Sequence, residues 1–85
     1  MKRKPVNAGI LIGDNVDIGA NTVICYGCEK DTVIEEHSWI GHQCLIGHDA
    51  KIGAGSIICS GVKILGYVEI GRKCYIAPGS VIRNR

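Results

Sequence analysis

The chain has 85 residues, room for one domain with a thin core, and a formal net charge of +2, too small to argue for a nucleic-acid or membrane partner. Hydrophobic residues make up 46% of it, yet there is no Phe and there are 12 Gly, so the apolar content is Ile and Val, which suit strands punctuated by turns. No run approaches the ~20 apolar residues of a membrane helix and no apolar segment follows the basic start, so neither a membrane span nor a secretory signal is expected and the cytoplasm is the expected compartment.

Residues 1–5, with the basic stretch KRKP, read as a disordered, solvated tail, and residues 6–85 as the folded domain. From there a period of six takes over. Aliphatic residues stand at Val6, Ile12, Ile18 and Ile24, and after one break at Ile34, Ile40, Ile46, Ile52, Ile58, Ile64, Ile70, Ile76 and Ile82. Four places on in each unit comes a small or β-branched residue such as Thr22, Ser38, Cys44, Ala50 or Ser56. A helix would need a period of about 3.6 and a single strand a period of two. Period six with paired inward positions describes a short strand, a sharp turn and another short strand. Three such units close a triangular coil, and coils stack with parallel strands ~4.8 Å apart. The prediction is a parallel β-helix of about four coils, 18 residues each. Glycine directly follows the aliphatic residue in six units, and Asn, Asp or Gly follows within two places at most corners, where positive φ is tolerated.

The register slips once, between Ile24 and Ile34, where CYGCEKDT holds a four-residue insertion expected to bulge from a corner. Its C-x-x-C spacing lacks the second cysteine pair of a four-thiolate zinc site and the following helix of a redox motif, so it reads as chance spacing. Five cysteines without a secretory signal argue for reduced thiols, with Cys44 and Cys74 on inward, packing positions.

Stacking by 18 residues, or 22 across the insertion, sorts the outward residues into three walls. One carries Trp39, Ile57 and Tyr75, a second Leu45, Lys63, Leu65 and Val81, and the third the polar mixture Glu35, Lys51 and Glu69. An apolar outer stripe holding the only Trp predicts self-association through Trp39, Ile57 and Tyr75. Arg85 falls in mid-coil, which leaves parallel strand edges for another chain or a further segment to cover.

The histidines fall next. His48 is predicted at a corner with Tyr26 below and Gly66 above, where an outward imidazole has room and can accept a proton near neutral pH. His42 stacks at a second corner with Ala20, Ser60 and Pro78, and His37 at a third with Asn15, Gly55 and Lys73. The spacing of His37, His42 and His48 is similar to that of the γ-class carbonic anhydrases, but no histidine precedes His37, so no metal site is assigned. A scaffold coil without catalysis is the other alternative.

Over residues 6–85 the hexads resemble the left-handed β-helix acyltransferases, and the hand of the coil comes from this resemblance alone. The stretch from Ile18 to Gly53, with its insertion before DTVI and its QCLIGH run, looks like the UDP-3-O-acylglucosamine N-acyltransferases of lipid A synthesis. HDAKIG and GYVEIGRKCYIAPGS fit the bacterial sugar N- or O-acetyltransferases equally well. The resemblance implies a homotrimer with sites between subunits and a pantetheine thioester donor, on coenzyme A or acyl carrier protein, with no bound cofactor. It also implies a histidine base acting on an amino or hydroxyl group of a nucleotide-linked sugar. His48 matches the catalytic histidine and Asp49 the acidic residue that orients it. His42, Gly66 and Asn84 are the residues assigned to substrate or donor contact. Two positions depart from the lipid A family: Gly41 where an aspartate often stands, and Asn84 with Arg85 where a Gly-His pair is found.

Overall fold

The structure is a computed structural model and describes residues 8–84. The tail assigned to residues 1–5 lies outside the described residues, as do Val6 and Arg85. Twelve short strands follow one another: β1 (Ile10–Ile12), β2 (Asp17–Ile18), β3 (Val23–Ile24), β4 (Thr32–Ile34), β5 (Trp39–Ile40), β6 (Leu45–Ile46), β7 (Lys51–Ile52), β8 (Ile57–Ile58), β9 (Lys63–Ile64), β10 (Glu69–Ile70), β11 (Tyr75–Ile76) and β12 (Val81–Ile82). Every third strand pairs in parallel, giving three four-stranded sheets ordered β1-β4-β7-β10, β2-β5-β8-β11 and β3-β6-β9-β12. The chain is therefore a parallel β-helix of four coils, as the period of six predicts. Ile10 pairs with Thr32 and Asp17 with Trp39 across the insertion, whereas Trp39 pairs with Ile57 one plain coil later. No helix among the described residues is long and apolar enough to cross a membrane.

The core is a column of isoleucine ladders. Ile34, Ile40, Ile46, Ile52, Ile58 and Ile64 are fully buried, and Cys44, Ala50, Ser56 and Val62 fill the space between them. Full burial of each such aliphatic side chain contributes roughly 1.5–3 kcal/mol. The alternating outward residues form the three predicted walls. Trp39 and Ile57 are each 42% exposed and Tyr75 66%, so the apolar stripe is real and uncovered in the single chain. On the polar wall Lys51 stands 3.7 Å from Glu35 and Lys30 3.7 Å from Glu69, exposed pairs that contribute little to stability.

Two kinds of corner residue have separate physical reasons. Positive φ falls on the third residue after the inward isoleucine, at Asn15, Asn21, His37, Gln43, Asp49, Tyr67 and Lys73 as well as at Gly55, Gly61 and Gly79. The glycines directly after isoleucine answer to space instead. A Cβ on Gly41 would lie 2.7 Å from the Ser60 amide nitrogen, and one on Gly47 the same distance from that of Gly66. The next coil passes too close for a side chain there.

Candidate active site

The corner between β6 and β7 is Gly47 to Ala50. Two residues past Ile46, His48 points outward, its side chain 42% exposed. Three residues past Ile46, Asp49 takes the positive-φ position at 61° and its side chain is fully buried. Its amide donates to the Thr32 hydroxyl at 2.9 Å, which fixes the backbone beneath it. The carboxylate meets three consecutive amides of the insertion, from Cys28 at 3.1 Å, Glu29 at 3.0 Å and Lys30 at 2.7 Å, and Nδ1 of His48 at 2.9 Å. Burial alone would raise the Asp49 carboxyl strongly. The hydrogen bond from His48 and those from the Lys30, Cys28 and Glu29 amides together outweigh it and hold the group well below the usual carboxylate range. Asp49 is thus ionised and can only accept, so Nδ1 of His48 must carry the proton. That leaves Nε2 of the neutral ring as a free base.

The insertion is folded back against this corner. Gly27 and Thr32 both donate to the Gly9 carbonyl, at 3.1 and 2.9 Å, so the loop closes on one oxygen. A Cβ on Gly27 would overlap the Lys30 carbonyl, which makes glycine obligatory at the turn. Between these anchors the exposed Cys28 is carried to the histidine: its sulfur, a ring nitrogen of His48 and a carboxylate oxygen of Asp49 lie within 4.8 Å of one another.

Above His48, the next coil supplies Gly66 and Tyr67. A Cβ on Gly66 would stand 2.6 Å from Nε2 of His48 and 2.7 Å from Cε1, so glycine makes room for the ring. Tyr67 meets the imidazole edge-on, ring centres 5.0 Å apart, and its amide donates to the His48 carbonyl at 3.0 Å. Burial, then the negative charges of Glu29 and Asp49, push its phenol up and keep it a neutral donor. Asn84 follows Ile82 by two places, as Gly66 follows Ile64 and His48 follows Ile46, in strands paired in register. His48, Gly66 and Asn84 therefore share one vertex of the triangle.

His42 does not join them. It lies at the corner after β5, where its Nδ1 accepts the Ala20 amide at 2.7 Å and its own amide donates to the Ser60 hydroxyl at 3.0 Å. His37 lies at the corner after β4, so the three histidines occupy three different vertices. Cys28, Thr32 and Tyr67 were missed in the sequence. Tyr67 was within reach, since it occupies the corner position 18 residues after Asp49. Cys28 was not, because the repeat says nothing of how an insertion folds.

Comparison with known proteins agrees with this architecture. The family described as "Bacterial transferase hexapeptide (six repeats)" matches residues 31–66, and "Hexapeptide repeat of succinyl-transferase" matches residues 6–26. A UDP-3-O-acylglucosamine N-acyltransferase of Hahella chejuensis is 44% identical over 71 residues, which are 84% of this chain and 20% of that protein. The enzyme of that name from Delftia acidovorans is 36% identical over 87% of the chain and 22% of its own length. A probable mitochondrial one of Arabidopsis thaliana is 42% identical over 89% of the chain and 27% of its own length. The chain thus spans about a fifth to a quarter of the length of these relatives. No solved structure matches it.

Proposed function

The chain belongs to the bacterial hexapeptide-repeat transferase family, and on that premise we propose that it transfers an acyl group from a pantetheine thioester to an amino or hydroxyl group of a nucleotide-linked sugar. The observation that carries the reading is the His48–Asp49 pair: a half-exposed imidazole whose Nδ1 is bonded at 2.9 Å to a buried carboxylate held well below the usual carboxylate range. Nε2 takes the proton of the attacking amine or hydroxyl as that group adds to the thioester carbonyl, and returns it to the departing thiol. Asp49 positions the ring and balances the imidazolium that forms. Gly66 leaves space at Nε2, and the Tyr67 ring stands edge-on to the imidazole beside it. The donor arm runs along the vertex from His48 past Gly66 to Asn84. His42 is set apart on its own corner, so any contact it makes with the acceptor comes from a neighbouring subunit.

The acceptor class follows the relatives' name, the place in lipid A synthesis follows the sequence resemblance, and acyl-coenzyme A or acyl carrier protein is the donor in either case. The compartment proposed is the cytoplasm, in keeping with five free thiols. The assembly proposed is a homotrimer. The wall of Trp39, Ile57 and Tyr75 faces away from the His48 vertex, so a closed three-fold ring sets it against a different wall of its neighbour. The wall of Val23, Leu45 and Val81 is that second surface, and His48 stands on its rim. The site then opens into a cleft between subunits.

The direct test is incubation with acetyl- or 3-hydroxyacyl thioesters of coenzyme A or acyl carrier protein and a UDP-linked aminosugar, with the acylated sugar read by mass spectrometry. Turnover should depend on His48. Failure with every donor and acceptor pair would sink the reading.

A further inference from the structure

Of the five cysteines, Cys28 alone is exposed, and it is the one at the candidate site. Its position is built. Its amide donates to both Asp49 oxygens, at 3.2 and 3.1 Å, and the obligatory Gly27 turn precedes it. Sulfur, imidazole and carboxylate then lie within 4.8 Å of one another. A metal ion fits this group poorly. Asp49 already accepts from three amides and His48, and the thiol and imidazole left over fall short of the three protein ligands of a catalytic zinc site. The grouping instead has the members of an activated nucleophile: a thiol, an imidazole within 4.8 Å of it, and a carboxylate that orients the ring.

We propose that Cys28 is a nucleophilic thiol served by the His48–Asp49 pair, and that it accepts the acyl group of a small thioester by thiol exchange. His48 takes the Cys28 proton and the thiolate adds to the thioester carbonyl. The carbon–sulfur bond to the donor breaks, and the donor thiolate leaves with the proton held by His48. The acyl group stays on Cys28 as a new thioester, and nothing is oxidised or reduced. The donor class rests on the proposed function above; the reactivity of the thiol does not. Acylation also places the acyl chain against His48, so the modified chain has its base covered.

The test uses the full chain with acetyl-coenzyme A, first without any acceptor, followed by intact mass and peptide mapping. The expected result is a single acetyl group on Cys28, released by hydroxylamine at neutral pH and absent from Cys28→Ser. His48→Ala should slow the acylation about 10²-fold or more, the lower end of the range for loss of a positioned base. The same substitution should slow alkylation of Cys28 by iodoacetamide. A loop merely loosened by the loss of His48 would label faster, so the direction separates chemistry from structure. An unacylated Cys28, or rates unchanged in His48→Ala, overturns the proposal. In a second reaction containing the UDP-linked aminosugar, acylated sugar without acyl-Cys28 in the first rejects this inference and leaves the transferase reading standing. Acyl-Cys28 without acylated sugar does the reverse.

Discussion

Oδ2 of Asp49 lies 2.9 Å from Nδ1 of His48, although the two residues are neighbours in the chain and one is buried while the other is half exposed. They meet because Asp49 takes the positive φ of 61° that each corner requires, which turns its side chain back under the ring and onto the insertion. Elsewhere the same corner position is filled by Asn15, Asn21, His37, Gln43, Tyr67, Lys73 or glycine, none of them acidic. At this one corner the structural requirement and an acidic side chain coincide. One carboxylate then both ties down the insertion and sets the tautomer of the histidine.

The first consequence concerns His48. His48→Ala should lower acyl transfer by roughly 10²–10⁴-fold, the usual contribution of a positioned base. The fold should remain, because the ring lies outside the isoleucine core. His42→Ala is the matched control: it removes an acceptor for the Ala20 amide and should cost stability rather than turnover. Dichroism and steady-state kinetics on the pair check this, and equal turnover losses would remove the distinction between the two histidines.

Asp49 gives a pH dependence with a definite sign. Its folded carboxyl is held below the ordinary range near ~3.9, so the stabilisation it gives is complete above that value. It is lost only as pH falls through the lower, folded value. The amides of Cys28, Glu29 and Lys30 should therefore stay equally protected in hydrogen exchange from neutral pH to about 5. Asp49→Asn removes the charge at any pH and puts an N–H2 among amide donors. It should cost about 1.5–3 kcal/mol, expose those three amides at neutral pH, and weaken transfer less than His48→Ala does. Unchanged exchange in Asp49→Asn would mean the insertion is held by Gly9 and Asp31 alone.

Gly66 separates space for chemistry from space for folding. Gly66→Ala places a methyl 2.6 Å from Nε2 of His48, against a side chain that can swing away. The ring should leave Asp49, with turnover down by about tenfold or more and little change in Tm. Gly47→Ala meets the Gly66 backbone and Gly41→Ala that of Ser60, where nothing can yield cheaply. Those two should lower Tm by several degrees at least, as a destabilisation of ~1–3 kcal/mol does in a domain of this size. Thermal melts and kinetics on the three variants test the contrast.

The period of six carried the fold, because each inward isoleucine is a separate, equivalent statement of the same geometry. Strand pairing at 18 residues, at 22 across the insertion, and the membership of all three walls follow from counting alone. The vertex shared by His48, Gly66 and Asn84 followed in the same way. The reason for glycine directly after isoleucine does not show in the spacing: it answers to the close passage of the next coil. What counting could not reach was the insertion. The seven-residue connection from β3 to β4 carries four residues outside the repeat and folds by its own contacts, so neither the approach of Cys28 nor the second duty of Asp49 shows in the spacing.

The final prediction joins assembly to activity. Ile57 lies between Trp39 and Tyr75 in the same sheet, its side chain directed outward from a strand whose inward partner, Ile58, is fully buried. Ile57→Lys places a charge at the middle of the apolar stripe while leaving the core ladder intact, so the coil should still fold and the interface should not form. Sedimentation should report a trimer for the wild type and a monomer, or aggregate, for the variant. Lys51→Ala, on the polar wall, is a control for surface change outside both proposed interface walls. If His48 works in a cleft between subunits, the monomer should also lose acyl transfer, although Ile57 and His48 belong to opposite parts of the triangle. A variant that stays trimeric would take the Trp39–Ile57–Tyr75 stripe out of the interface. One that becomes monomeric yet turns over at the wild-type rate would place the whole site within a single chain.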